Sequence, residues 1–510
     1  MYLHLILRSK GAIMKETTFI TTHPSKDISY LINYDGENIL KGLNFIEIHD
    51  IQKARQIAGF LKLHNHIDIF ILSRERRIIK EIYSIFPYVR LVYEPKKPFT
   101  DIDKLTRELF NLGSFTICLD SSYANQTTIR ELQKQGISVL IRVENDIEAY
   151  EATLAGADGV LGKQIEKVHI ETDLYFRPFL VSHRGHQANY IENSLNAAIA
   201  AENIGAEFIE LDIHMTKNNV IVVNHGPSLG ENYDKDYAIK RNTFKELKQA
   251  RQIFNGQPTD DHIESLIHFD KAIKDDVGFI LDIKVDTKRN IRRIARMIDA
   301  MKRPVYVMSF LPFAIVRINR YANRVKSGML LSFHEKKLTV NSLLKLVHKY
   351  NLVVHPYFLH DSPKYKEALD KRMIPMVPYG LSKTDTYQVF KQGYHMVNSD
   401  SIDTLIHLPK QLMTEKYLHY TIGEYTKIIL TDEKHNKLDF KAEILFGNPN
   451  GLVIDNQGIT TADKAGVSYI YLTHTTEVNG EPITYTSDLI TITIHEKRGD
   501  RNVDSSKSAK

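Results

Sequence analysis

Four short stretches in the middle of this 510-residue chain gather the residue types that move protons and hold cations. His183, Arg184 and Gly185 stand together directly after the apolar run FRPFLVS, and Glu192 follows. Glu210 and Asp212 lie two apart in FIELDI, His225 comes after VIVVN, and Asp282 and Lys284 lie two apart in FILDIKV. An imidazole can give or take a proton near neutral pH, so His183 and His225 are the candidate acid–base pair. The Arg184 guanidinium can clamp a phosphate through parallel donors, and Gly185 lets the chain turn steeply beside it. In a strand, the side-chain period of two puts Glu210 and Asp212 on one face. Carboxylates facing an interior are costly unless paired or holding a cation. Oxygen-only ligands point to Ca²⁺ or Mg²⁺ rather than zinc, with Asp282 as a third ligand. Lys284 is then a point charge for a phosphate. The plainer readings are a salt bridge at a rim for the first pair and a local ion pair for Asp282 with Lys284. Together these residues describe a site for an anionic ester with one hard cation.

The elements that must position them are strands. Between residues 175 and 410, apolar runs alternate with helix-like segments such as NSLNAAIAAENIG and NIRRIARMIDAM, which suits a TIM-like (β/α)8 barrel. Each chemistry-bearing group falls at or beyond the C-terminal end of a predicted stave, where such a barrel opens its active-site mouth. Nine candidate strands compete for eight places, so at least one must be a hairpin arm or lie off the ring. Residues 231–270 read as an excursion from the alternation. Residues 1–170 follow the same grammar with about five or six strands, as a small α/β domain or part of a barrel. Ile137–Lys163 lies without a gap on Ile374–Asp400, which points to duplication. Residues 413–497 exchange helical patterns for short alternating runs and turns, the texture of a small all-β sandwich. Residues 498–510 read as a disordered tail. The expected fold class is α/β, with an N-terminal α/β domain, a central barrel and a C-terminal β-sandwich.

The stretch from His183 to His225 resembles the glycerophosphodiester phosphodiesterase family, within the wider group of phospholipase-C-like barrels. The resemblance rests on an ordered set: His183-Arg184-Gly185, Glu192-Asn193-Ser194, Glu210 and Asp212, Thr216, His225, Lys284, and Ser309-Phe310. It implies metal-assisted cleavage of glycerophosphodiesters to sn-glycerol 3-phosphate and an alcohol, through a cyclic phosphate that water opens. It also implies that Glu210, Asp212 and Asp282 hold one divalent ion, with Glu192 ligating it or orienting its neighbours. His183 and His225 act as acid and base, and Arg184 and Lys284 bind phosphate. Asp282 stands where the family has Glu, Gly226 where it has Asp, and Val377-Pro378-Tyr379 where a Trp is common. The 1–170 region resembles the later half of such barrels without the His-Arg-Gly and Glu-x-Asp segments, and reads as a degenerate, non-catalytic relative for scaffolding or homo-oligomer formation. Residues 413–497 resemble bacterial immunoglobulin-like domains.

Apolar residues make up 43% and charged residues 25%, an ordinary globular balance, and the net charge of +5 is spread without an arginine-rich arm. That fits a small anionic phosphodiester or an envelope polymer better than nucleic acid. A lone cysteine, Cys118, excludes an intramolecular disulfide and reads as an inert buried thiol. No run of about 18 apolar residues suggests a membrane span, and the N-terminus lacks the pattern of a secretion signal, so a cytoplasmic place is expected, with the cell envelope or exterior second. Two alternatives stand beside diesterase activity: a phospholipase or teichoic- or capsular-type polymer hydrolase on the same barrel, and a disabled binding or assembly protein.

Overall fold

The computed structural model describes residues 4–9, 12–21, 44–63, 69–162, 176–323, 325–331, 339–350, 352–357, 363–370 and 372–497. The expected tail at 498–510 and the expected junction between residues 170 and 175 lie outside these residues. The chain divides into two compact units, Met1–Leu408 and Pro409–Lys510.

The first unit opens with a closed ring of strands in chain order: β1 (His4–Ser9), β2 (Ala12–Thr21), β3 (Asn44–Glu47), β4 (Ile69–Ser73), β5 (Arg90–Tyr93), β6 (Thr116–Asp120), β7 (Ser138–Val143) and β8 (Gly159–Gly162). From β2 to β8 neighbours are parallel, while β1 runs antiparallel to β2 and β8 and closes the ring. Runs such as IFILS and SVLIRV are apolar almost throughout because both faces are covered. Phe45, Phe70, Leu72, Val92, Cys118, Leu140 and Leu161 share the inner cluster, while their neighbours along each strand meet the surrounding helices. The sequence reading of five or six strands falls short of this ring because the antiparallel hairpin β1–β2 breaks the strand–helix grammar. Cys118 is fully buried, and burial drives its thiol far above its ordinary pKa, as expected of an inert group.

A second ring follows. Its strands are β9 (Phe179–Ser182), β10 (Phe208–Met215) with β11 (Ile221–Val223) at its side, a small ladder of β12 (Ile253–Phe254) and β13 (Gln257–Pro258), then β14 (Gly278–Ile283), β15 (Val305–Ser309), β16 (Lys326–Leu331), β17 (Val353–Pro356) and β18 (Met396–Ser399). The parallel order is β17-β16-β15-β14-β10-β9-β18. The remaining place is held by residues 376–381 through single bridges: Val354 with Met376, Tyr357 with Tyr379, and Leu381 with Ser399. Pro378 lacks the N–H that a continuous ladder needs, so this stave is reduced to isolated bridges. The surplus ninth candidate is β11, which pairs antiparallel with β10 outside the ring order. The 231–270 excursion packs a small core of its own around Leu229, Tyr233, Ile239, Leu247 and Ile263.

The two rings meet foot to foot, at the N-terminal ends of their strands. Arg90, the first residue of β5, donates to the Arg372 carbonyl at 3.0 Å, and Ser138, the first of β7, donates to the Met373 carbonyl at 2.9 Å. Tyr306 near the start of β15 donates to the Gln133 carbonyl at 3.3 Å. Arg130 and Arg177 both pair with buried Glu207, each at 2.7 Å, just before β10 begins. These buried ion pairs fix the register of the rings more than they add stability, since desolvation offsets much of their attraction.

The second unit is mostly β. It has a five-strand sheet formed by Tyr417–Thr421, Ile490–His495, Gly466–Val478, Lys441–Leu445 and Glu481–Thr486, and two three-strand sheets. Alternation along Tyr417–Thr421 and Ile490–His495 sends Leu418, Tyr420, Ile490, Ile492 and Ile494 inward. Among the described residues, no helix is long and apolar enough to cross a membrane.

Candidate active site

The inner face of the second ring changes character along its strands. At the foot, Phe179, Val181, Phe208, Ile280, Tyr306, Met308, Val353 and Met396 form an apolar plug. Two residues further along β10, the same face presents Glu210 and then Asp212, and on β14 it presents Asp282. The parallel register sets Asp212 directly beside Asp282. All three carboxyls are buried, and one oxygen from each lies within 4.8 Å of the others.

The His-Arg-Gly segment leaves β9 through a left-handed turn, with Arg184 at φ 55° and Gly185 at φ 85°. This unusual backbone aims the Arg184 N–H at Glu210 Oε2, 3.1 Å away. Gly185 also lies against the helix Leu195–Ile204, where a Cβ would stand 2.7 Å from the Ala197 carbonyl carbon. Gly185→Ala therefore combines backbone strain with a clash and should cost about 1–3 kcal/mol or more, read as a lower unfolding midpoint. An unchanged midpoint would show that the turn can be rebuilt without loss. Ser194 caps that helix by accepting from the Ala197 N–H at 3.0 Å. Asn193, also left-handed at φ 59°, exchanges two hydrogen bonds with Asp212, giving one to Oδ2 at 2.9 Å and accepting one from its N–H at 3.0 Å.

Two cations face the carboxyls. Lys284 Nζ lies 2.6 Å from Asp282 Oδ2 and 2.8 Å from Asp212 Oδ1. The plain ion pair expected for Asp282 and Lys284 is thus present, and it extends to Asp212. Arg184 donates to Glu192 Oε2 at 2.6 Å, and its Nε lies 3.3 Å from Asp212 Oδ2. Burial, with Asp212 and Asp282 nearby, pushes Glu210 well above the usual carboxylate range. Burial likewise lifts Asp282 to about 6, against the pull of Lys284. At Asp212 burial acts upward too, but Lys284 and Arg184 overcome it and hold the group below its ordinary value. Asp282 Oδ1 is buried without a hydrogen-bond partner. Three buried carboxyls, two of them pushed above the usual range chiefly by burial, and an orphaned oxygen fit a hard divalent cation. The shorter arm of Asp282 does not remove its oxygen from the cluster.

His183 Nδ1 donates to Asp400 Oδ1 at 2.9 Å, which turns Nε2 toward Glu210 Oε2, 3.9 Å away. Asp400 also accepts from Gln187 Nε2 at 2.9 Å; burial acts upward on it, but the His183 and Gln187 hydrogen bonds with the His183 and Arg184 charges together hold it below its usual pKa. His225 is half exposed, with Nδ1 3.7 Å from Glu192 Oε1. Burial, then the Arg184 charge, lowers its affinity for a proton. His214, buried on the same face of β10 as Asp212, reaches the His225 carbonyl at 3.2 Å through Nε2. At Gly226 a Cβ would come 3.2 Å from the Ser228 carbonyl, and Asn224 Nδ2 donates to both the Gly226 and Ser228 carbonyls at 2.9 Å. The chain after His225 is therefore braced through its backbone, with no carboxylate at that position. Ser309 braces its own turn, donating to the Ile283 carbonyl at 2.6 Å. Phe310 is exposed and meets Tyr379 edge to face at the rim.

Asp400 was not among the residues singled out from the sequence, although it directly follows β18 and so obeys the same stave-end rule. Asp400→Asn keeps the size but allows the opposite tautomer of His183, and should lower kcat by about 10–100-fold with little change in KM. Equal kcat in the two proteins would remove Asp400 from the working site.

Residues 183–404 match the glycerophosphoryl diester phosphodiesterase family. This barrel is of the glycerophosphodiesterase and phospholipase-C-like fold family. A glycerophosphodiester phosphodiesterase from Caldanaerobacter subterraneus is 25% identical over 248 residues, 46% of this chain and 99% of that protein. A lysophospholipase D from Rattus norvegicus is 26% identical over 131 residues, 24% of this chain and 41% of its own. Among solved structures, a glycerophosphodiester phosphodiesterase from Thermotoga maritima is 22% identical, with a TM-score of 0.39, covering 47% of this chain and all of its own (100%). An Oleispira antarctica phosphodiesterase in complex with sn-glycerol 3-phosphate is 19% identical, with a TM-score of 0.41, over 45% of this chain and 95% of its own. The matched stretch begins at His183 and takes in all eight candidate site residues and Asp400.

Proposed function

We propose that the barrel hydrolyses glycerophosphodiesters to sn-glycerol 3-phosphate and an alcohol. The observation that carries this reading is the buried cluster of Glu210, Asp212 and Asp282, ringed at one mouth by Arg184, Lys284, His183 and His225. Arg184 and Lys284 draw the phosphate toward the carboxyls, the guanidinium by its fork and the ammonium as a point charge. Glu192 holds Arg184 in place and stands beside His225. A divalent cation, Ca²⁺ or Mg²⁺, held by the three carboxyls with Glu192 close by, would neutralise charge growing on phosphorus. His183 exchanges its proton at Nε2, with Nδ1 anchored on Asp400. His225, disposed to be neutral at pH 7, is suited to accept one. Between them they carry protons to and from the attacking and leaving oxygens.

The remaining regions take supporting roles in this reading: 1–170 as a non-catalytic barrel, 175–410 as the catalytic one, and 413–497 as an immunoglobulin-like β-domain. At the mouth of the first barrel, Arg142 grips Glu94 through two bonds of 2.7 and 2.8 Å, and Arg74 adds a third. Glu47 lies 3.9 Å from Arg142 and 3.4 Å from His49, while Asp50 caps the next helix. Internal pairing of this kind supports a structural mouth there. The test of function is release of sn-glycerol 3-phosphate from a panel of glycerophosphodiesters, with chelator and then with added Ca²⁺ or Mg²⁺. Release that needs the cation supports the proposal; folded protein that releases nothing with either ion would overturn it.

A further inference from the structure

Strand β15 ends at Ser309, and the chain then runs Phe310-Leu311-Pro312-Phe313 along the rim of the mouth into the helix Pro312–Tyr321. Phe310 is 47% exposed and Phe313 66%. Four apolar residues in a row, with two aromatic rings turned to solvent, are a costly surface unless something apolar covers them. The neighbouring helix, Lys288–Ala300, begins shortly after Lys284 and is amphipathic. Ile291, Ile294, Ala295 and Ile298 are buried, while Lys288, Arg289, Arg292, Arg293 and Arg296 are exposed. The acid on this helix, Asp299, stands in its last turn and accepts from the Asn323 N–H and Nδ2. Among the described residues, none of the five cations forms an ion pair. The two helices are joined: Arg292 lies 4.8 Å from the centre of the Tyr321 ring. Arg317 donates to the Asp286 carbonyl, just before the basic helix, and lies 5.6 Å from the centre of the Phe313 ring. The apolar tip and the basic face therefore form one continuous surface at the edge of the mouth.

We propose that this edge docks on an anionic lipid surface. Either feature alone is ordinary on a protein. Side by side they supply the two parts of interfacial binding: apolar side chains that enter the headgroup layer, and cations that meet its negative charge. A soluble polyanion would satisfy the cations but leave the aromatic tip uncovered, so lipid is the occupant that uses both. A helix rises about 1.5 Å per residue, so Arg296 stands about 12 Å along from Lys288, near the limit of electrostatic reach at physiological salt. The cations nearest the rim, Lys288 and Arg289, thus weigh most. Docking of this kind concerns binding alone and stands apart from the hydrolytic reading.

The test is co-sedimentation of the full chain with vesicles of equal parts phosphatidylglycerol and phosphatidylcholine, and with vesicles of phosphatidylcholine alone. The chain should bind the anionic vesicles about tenfold or more tightly than the neutral ones, and added salt should release it. Phe313→Ser should weaken binding to the anionic vesicles about fivefold. Arg289→Glu combined with Arg293→Glu should weaken it about tenfold or more. Both variants change exposed side chains, so their unfolding midpoints should match that of the parent protein. No binding of the parent to the anionic vesicles would overturn the proposal. Binding unchanged in both variants would place the contact elsewhere and overturn it equally. Binding lost on charge reversal but unchanged in Phe313→Ser, with equally tight binding to soluble polyphosphate, would make this a polyanion face and overturn the lipid assignment.

Discussion

His183→Ala is expected to lower kcat for glycerophosphodiester hydrolysis by about 10²–10⁴-fold, the usual worth of a positioned proton-transfer group. The variant should still be stabilised by added Ca²⁺ or Mg²⁺, because the three carboxyls come from β10 and β14 and owe nothing to the imidazole. Loss of turnover with retained cation response would separate proton transfer from charge neutralisation within one mouth. His225→Ala should fall in the same range, and it carries a signature in pH. Burial and the Arg184 charge lower its pKa, so the group becomes neutral as pH rises through a value below its ordinary 6.5. If neutral His225 takes up the proton, kcat/KM of the native protein climbs through that region and then levels off, and the acid limb is absent from the residual activity of His225→Ala. A His183→Ala protein with native kcat would sink the assignment of that residue. An unchanged acid limb in His225→Ala would sink the other.

Lys326→Met should stabilise the protein, contrary to the usual cost of changing a buried residue. Burial, then the neighbouring Arg90 charge, lowers the Lys326 pKa from 10.5 to about 7. Each unit is worth about 1.4 kcal/mol, so the ammonium burdens the native state by on the order of 5 kcal/mol at most. The sign follows from proton counts. Between pH 7 and 10.5 the unfolded chain binds more protons at this position than the folded one, so stability from this group rises with pH across that window. Below pH 7 both states carry the proton and the burden is at its full value. Methionine fills nearly the same volume with no charge. Thermal unfolding should therefore give Lys326→Met a higher midpoint at pH 6, with the difference shrinking toward pH 10. A lower midpoint at every pH would mean that the ammonium already has its compensation in the protein.

Much of the mouth was legible in the chain because a strand has a fixed period and a parallel barrel has a fixed polarity. Glu210 and Asp212, two apart in an apolar run, had to share a face, and β10 places both on the inner one. Asp282 joined them because parallel register is local and sets it beside Asp212. Asp400 was harder: it is separated from His183 by 217 positions, and only closure of the ring brings β18 against β9. The first barrel was under-read for a related reason. Its β1–β2 hairpin has no helix between the strands, so the alternation used to find staves passes over it. The ion-pair cluster at its mouth, in which Glu47 meets His49 and Arg142 while Arg142 grips Glu94, draws on separate stave ends and so has no local spacing to announce it. Nothing local in the sequence announces that Lys326 lies against a second barrel, because a foot-to-foot junction is assembled from residues hundreds of positions apart.

That junction has a consequence for traffic. In parallel barrels joined at their feet, the open ends point away from each other, so what leaves one mouth enters solvent rather than the other barrel. Among the described residues, the route through each ring is stopped by its own apolar plug. What joins them is the shared floor of Arg130, Arg177, Glu207 and Ser138. A change in the first barrel would be felt at the carboxyls through the strands β10 and β14, whose lower ends rest on that floor.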